Sequence, residues 1–228
     1  MTLLTGRRKR HKPEPAPSRG TGRPTPLTDP RIRLSAGAAA LLCTALAARG
    51  NRVGASEQRM FRAVNGLPDA LYPPGWVVMQ LGTLGAAPAA AAAAWLAGDR
   101  ELAGRLVTAG SVSWLLSKGV KLVVRRDRPA ILLPGTRGRG RDAAGLGYLS
   151  GHAGVAVALG AAALPRLGPR GRGLVLAAVP AVALMRVYVG AHLPLDIVGG
   201  AALGLAVEAG LEMLGPANCH RCTGCGRP

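Results

Sequence analysis

Apolar runs at roughly 34–48, 72–97, 102–124, 152–166, 174–189 and 194–214 constrain this chain more than any other feature. Each consists mostly of Ala, Leu, Val and Gly, and a bilayer asks for about 17 to 25 such residues per spanning helix. In lipid every backbone N–H and C=O must be satisfied within its own segment, so runs of this kind fold as helices. The expectation is an all-α, six-helix transmembrane bundle. The first run is short and ends Ala45-Leu46-Ala47-Ala48, which also suits a cleaved signal peptide. The fourth and fifth runs are short as well and need flanking residues or local thinning to span. Residues 1–31 carry Arg7-Arg8-Lys9-Arg10-His11-Lys12 and then Pro, Gly, Ser and Thr without apolar periodicity. That composition reads as a disordered basic arm ahead of a membrane-embedded domain over 32–214, with a tail over 215–228.

The chain holds 29 Lys/Arg against 11 Asp/Glu, a balance that suits either nucleic acid or anionic lipid. One Phe and three Tyr leave almost nothing for bases to stack on, so nucleic acid is set aside and membrane lipids are the expected partner. The tail places Cys219, His220, Cys222 and Cys225 together, a weak candidate metal cluster because the ligands lie closer than a two-knuckle zinc site allows. No metal or other cofactor is expected elsewhere. Oligomeric state is not legible.

Three segments carry polar groups that an apolar bundle does not need: Lys121-x6-Arg128-Pro129, Ser150-Gly151-His152 and Arg186-x5-His192-x3-Asp196. Each falls at the end of an apolar run. With the basic arm on the cytoplasmic side, six crossings bring all three to one outer face, although the cations of 118–149 pull the other way. Arg, Lys, Ser and backbone N–H donors together match the charge and geometry of a tetrahedral oxyanion. Lys121 lies in the last turn of the third run, which Pro129 is expected to stop. Ser150 stands where an N-cap belongs, and the free N–H groups behind it suit an anion. Pro194 suits the first helical position, which leaves His192 just ahead of the helix and Asp196 in its first turn. From there Asp196 can hydrogen-bond one imidazole nitrogen and turn the other toward a reacting centre. Arg128 with Arg125 and Arg126 would, without the other two segments, read as a lipid-head patch, and Glu208 and Glu212 read as partners of basic loops.

The three segments, in this order, resemble the signature of the type 2 phosphatidic acid phosphatase (PAP2) superfamily, which also contains bacterial acid phosphatases and vanadium haloperoxidases. The layout covers about residues 57–214. The resemblance implies an integral-membrane lipid phosphate phosphatase that needs no metal and faces the extracytoplasmic side of the cell membrane. It implies His192 as nucleophile, Asp196 as its orienting partner, His152 as general acid, and Lys121, Arg128, Ser150, Gly151 and Arg186 as phosphate ligands. The substrate class is then a phosphomonoester or diphosphate of a lipid, with phosphatidic acid and polyprenyl diphosphate the first two to test. Leu149, Met185 and Ala130 depart from the usual Pro, Ser and second Arg-Pro of the pattern, which bears on fine geometry and substrate preference. A membrane protein of the same fold that binds or moves phospholipid without chemistry is the alternative, and intact His152, His192 and Asp196 count against it.

Overall fold

The computed structural model describes residues 29–141 and 144–215, and the described residues are helical with no strand. The basic arm up to residue 28 and the Cys219, His220, Cys222 and Cys225 cluster lie outside them. Helix α1 (Pro30–Ala48) starts behind Asp29, whose side chain accepts from the Arg31 N–H at 2.9 Å. A short amphipathic helix α2 (Ala55–Asn65) follows, then α3 (Tyr72–Gln80), α4 (Ala86–Leu96), the long α5 (Arg100–Val124) and a single turn α6 (Pro129–Leu132). Helices α7 (Gly151–Ala163), α8 (Pro169–Tyr188) and α9 (Pro194–Leu214) complete the order.

Helices α7 and α9 form the centre, with α1 and α5 packed on α9, α5 and α8 on α7, and α4 against α5. Their contacts are made of backbone as much as side chain. A Cβ on Gly204 would stand 2.2 Å from the Gly154 carbonyl oxygen, and one on Gly37 would stand 2.9 Å from that of Ala202. Small residues at these crossings let the helices approach where lipid supplies no hydrophobic drive to squeeze them together. Large apolar side chains instead point outward, among them Leu42, Leu115, Leu122, Leu174 and Leu184, the reverse of a water-soluble bundle.

Four helical stretches are long and apolar enough to cross a membrane: Pro30–Asn51, Arg100–Leu132, Pro169–Tyr188 and Pro194–Leu214. Among the described residues, the runs 72–97 and 152–166 do not form single helices of that length. The run 72–97 is broken at 81–85 into α3 and α4, and within the break Gly82 passes so close to α7 that a Cβ there would lie 2.7 Å from the His152 carbonyl oxygen. The run 152–166 keeps only the 13 residues of α7 before a 3-10 turn at Leu164–Arg166.

Two expectations are corrected. Pro129 does not stop α5; that helix ends at Val124, where Arg125 takes the left-handed conformation (φ 52°), and Pro129 opens α6. Glu208 and Glu212 pair not with loops but with Arg33 of α1 and Arg105 of α5, Glu208 at 2.5 Å from each. This cluster lies 12 residues along α9 from Asp196, roughly 18 Å at the helical rise, and it ties α1 and α5 to the far end of α9.

Candidate active site

The three polar segments meet at the other end of the bundle. Lys121, in the last turn of α5, donates through Nζ to the carbonyls of Leu146 (3.0 Å) and Gly147 (3.1 Å). Arg128 donates to three carbonyls, those of Gly145 (3.1 Å), Ala191 (2.7 Å) and Ala144 (2.9 Å). An ammonium has three N–H donors and a guanidinium five, so the backbone orients both cations and leaves each with donors for a ligand. Arg186, in the last turn of α8, touches the Met79 sulfur at 3.6 Å, and its Nε is buried with no partner among the described residues.

Ser150 caps α7: its Oγ accepts from the Ala153 N–H at 3.4 Å, while its own N–H donates to the Asp196 carbonyl at 2.9 Å. Gly151 and His152 then form the first turn of α7. On the other side of the cup, Gly190 (φ 75°) turns the chain after α8. The N–H groups of Ala191 and His192 both return to the Arg186 carbonyl at 3.2 Å. Pro194 occupies the first turn of α9 with Asp196 behind it, as local helix rules require.

Lys121, Arg128, Gly151, His152, Arg186 and His192 line a single cavity of about 200 Å³ together with Gly82, Thr83 and Ser117. Arg128, His152 and Arg186 also border a wider chamber of about 630 Å³ beside it, floored by Trp76, Gln80 and Thr83. With Lys118 also in the lining, four cations and two imidazoles surround this small space, a set of charges that suits an anion, and donors fixed in advance are the arrangement that stabilises charge developing on a bound oxyanion. His192 is buried, and that burial, with the Arg186, Lys121 and Arg128 charges beside it, holds its imidazole well below the usual range and therefore neutral. A neutral imidazole is the form able to attack phosphorus.

Two expected site residues stand behind the cavity rather than in its wall. The Ser150 hydroxyl accepts at the cap of α7 and keeps its O–H donor, but the side chain is buried behind Gly151 and His152, the members of that segment that line the cavity. The Asp196 carboxylate lies 3.6 Å from His192 Nδ1, outside hydrogen-bond length. It accepts instead from the Leu193 N–H (2.8 Å) at Oδ2 and from Arg126 (2.9 Å) at Oδ1. Nδ1 itself has no partner among the described residues.

Sequence reasoning missed the partner of Asp196. Arg126, read as part of a lipid-head patch, is fully buried. Its guanidinium bridges Asp196 and Glu57 of α2, reaching Glu57 at 3.0 and 2.7 Å, and donates to the Arg52 carbonyl at 2.9 Å. Glu57 Oε1 also accepts the Leu195 N–H at 3.0 Å. The left-handed turn at Arg125 is what sends Arg125 outward and Arg126 inward.

Among curated protein sequences none matches this chain. Two solved structures share its fold. LpxE of Aquifex aeolicus superposes with a TM-score of 0.65 at 18% identity, over 73% of this chain and 99% of that one. A transmembrane PAP2-type phosphatidylglycerolphosphate phosphatase from Bacillus subtilis does so with 0.61 at 17%, over 78% and 95%. The PAP2 superfamily profile matches residues 102–213, the stretch that holds all three polar segments. Through these residues the chain belongs to the PAP2 superfamily.

Proposed function

We propose that this chain is a multi-pass membrane lipid phosphatase that hydrolyses a phosphomonoester or diphosphate of a lipid, phosphatidic acid or a polyprenyl diphosphate, through a phosphohistidine. One observation carries the reading: two imidazoles and four cations, Lys118, Lys121, Arg128 and Arg186, line a single cavity of about 200 Å³. Four helices of spanning length and the family membership support the membrane setting. Lys121, Arg128, Arg186 and the Gly151 N–H hold the phosphate oxygens, with Ser150 acting as the cap that aims them. The Nε2 lone pair of His192 attacks phosphorus and the bond to the leaving oxygen breaks; His152, whose pKa burial and the neighbouring cations hold down to about 3, takes up a proton as the negative phosphate binds and donates it to that oxygen. A water then attacks the phosphohistidine, gives its proton back to His152, and inorganic phosphate and free His192 result. The cations carry the charge that a divalent ion carries in other phosphatases, each donor being worth about 2.7–4 kcal/mol in the transition state. The cup faces the extracytoplasmic side when the basic arm stays in the cytoplasm. A reporter fused at residue 140 gives an extracytoplasmic signal on this reading and a cytoplasmic one against it.

The test is phosphate release by the purified protein in detergent from dioleoyl phosphatidic acid and from undecaprenyl diphosphate, beside His192→Ala. Release by the wild type alone supports the proposal. Equal absence of release from both proteins favours the phospholipid-binding alternative.

A further inference from the structure

We propose that Glu57 and Arg126 are positioning residues for the reaction, holding Asp196 where it orients and polarises His192. The inference rests on His192 as nucleophile. Its observations are a continuous chain of contacts: Glu57 to both terminal nitrogens of Arg126, Arg126 to Asp196 at 2.9 Å, and Asp196 to within 3.6 Å of His192 Nδ1. Side chains of Arg126 and Asp196 are fully buried and that of Glu57 nearly so.

Charge count explains why the third member is needed. Arg126 with Asp196 alone would form a neutral pair, and a guanidinium free to fork onto both carboxylate oxygens would draw Asp196 away from the imidazole. Glu57 engages both terminal nitrogens and leaves Asp196 a share of Nη1 alone, so the trio keeps a net negative charge facing His192. The same Glu57 Oε1 receives the Leu195 N–H at 3.0 Å, and Asp196 Oδ2 receives that of Leu193 at 2.8 Å. These two bonds fix the first turn of α9, and with it the direction of the carboxylate. A buried ion cluster is a poor device for stability alone, since well-packed apolar residues of similar volume often do as well or better. Its placement directly behind the imidazole is what a positioning role requires. The gap of 3.6 Å closes when the imidazole becomes positively charged on attack, as hydrogen bonds at reacting centres tighten beyond the resting state.

The experiment is a double-mutant cycle on phosphate release from dioleoyl phosphatidic acid with Glu57→Gln, Asp196→Asn and the pair. Glu57→Gln is expected to lower kcat roughly 10- to 100-fold with KM little changed. In the Asp196→Asn background the same change should cost less than about threefold, because both act through one carboxylate. Losses that multiply, or a Glu57→Gln protein impaired only in thermal stability, overturn the inference. If Glu57→Gln does not fold, Arg126→Lys, which keeps charge but not the fork, is read in the same way. If the wild type releases no phosphate, the proposed function fails separately. Nitrogen NMR of the His192 ring, assigned with His192→Ala, then decides: one tautomer in the wild type and a mixture in Glu57→Gln supports positioning, and identical spectra refute it.

Discussion

Gly200 is where the packing of the bundle and the chemistry of the cup meet, and Gly200→Ala tests that connection. A Cβ there would stand 2.3 Å from the Ser150 carbonyl oxygen, 0.7 Å inside the 3.0 Å approach that real Cβ atoms essentially never breach, and 3.2 Å from Ala153 Cβ. Both obstacles are rigid, being backbone and a helical Cβ, so α7 must move away from α9 by at least that 0.7 Å. Ser150 and His152 ride on the first turn of α7, while His192 and Asp196 ride on the start of α9. The displacement therefore opens the distance between the two imidazoles, and a misplacement of about 1 Å can cost about 100-fold in rate. Overpacking of this size costs about 1–3 kcal/mol in stability, against up to about 1 kcal/mol gained because Ala is the better helix former. Gly210→Ala on the same helix is the control, because a Cβ there meets nothing within 4 Å. The assay is kcat for phosphate release together with the thermal midpoint in detergent. The expected result is a rate loss approaching 100-fold for Gly200→Ala, with a stability difference from Gly210→Ala of about 1–3 kcal/mol. Two variants alike in both measurements would refute the close α7–α9 crossing.

Replacing Arg126 by Met should destabilise the protein by about 3–5 kcal/mol, because Glu57 and Asp196 would be left buried without their cation; thermal unfolding checks it. Arg186→Ala should lower kcat about 10²- to 10³-fold, the loss typical of one donor to a developing oxyanion, with little change in the thermal midpoint. Since His192 is held neutral, the kcat profile should show no limb from its protonation above about pH 6.5. Below that pH the unfolded chain takes up a proton that folded His192 refuses, so stability should fall with acid, as denaturation at pH 7 and pH 5 would show. Chelation with EDTA should leave phosphate release unchanged, and a loss restored by a divalent ion would contradict the role given to the cations.

Local rules made part of the site legible. Ser150 as cap, Pro194 in the first turn of α9, and Asp196 one turn behind His192 follow from residue type and spacing, and the structure shows each in that place. What spacing could not show was where each side chain would turn. Ser150 is buried behind the cavity with its oxygen capping its own helix, and Asp196 bonds Arg126 and Leu193 rather than the imidazole. Glu57 and Arg126 are 69 residues apart, and in Arg125-Arg126-Asp127-Arg128 nothing local tells which cation is buried; the left-handed residue between α5 and α6 decides it. The break between α3 and α4 was hidden for a different reason. Hydropathy averages over Gly82 and Gly85, whereas the helix is interrupted there and α7 leaves no room for a side chain at Gly82. Glu208 and Glu212 found Arg33 and Arg105 because α1 and α5 pack on α9 and bring distant turns side by side, which a one-dimensional reading of loops cannot anticipate.

The account stands on His192 as the atom donor that takes the phosphoryl group, and rapid-quench labelling tests that directly. Wild-type protein mixed with phosphatidic acid carrying a labelled phosphate, stopped in alkali and digested, should yield an acid-labile, alkali-stable label on the peptide that contains His192 and none in His192→Ala. Label on the Ser150 peptide instead, or turnover without a labelled enzyme at any quench time, would contradict it.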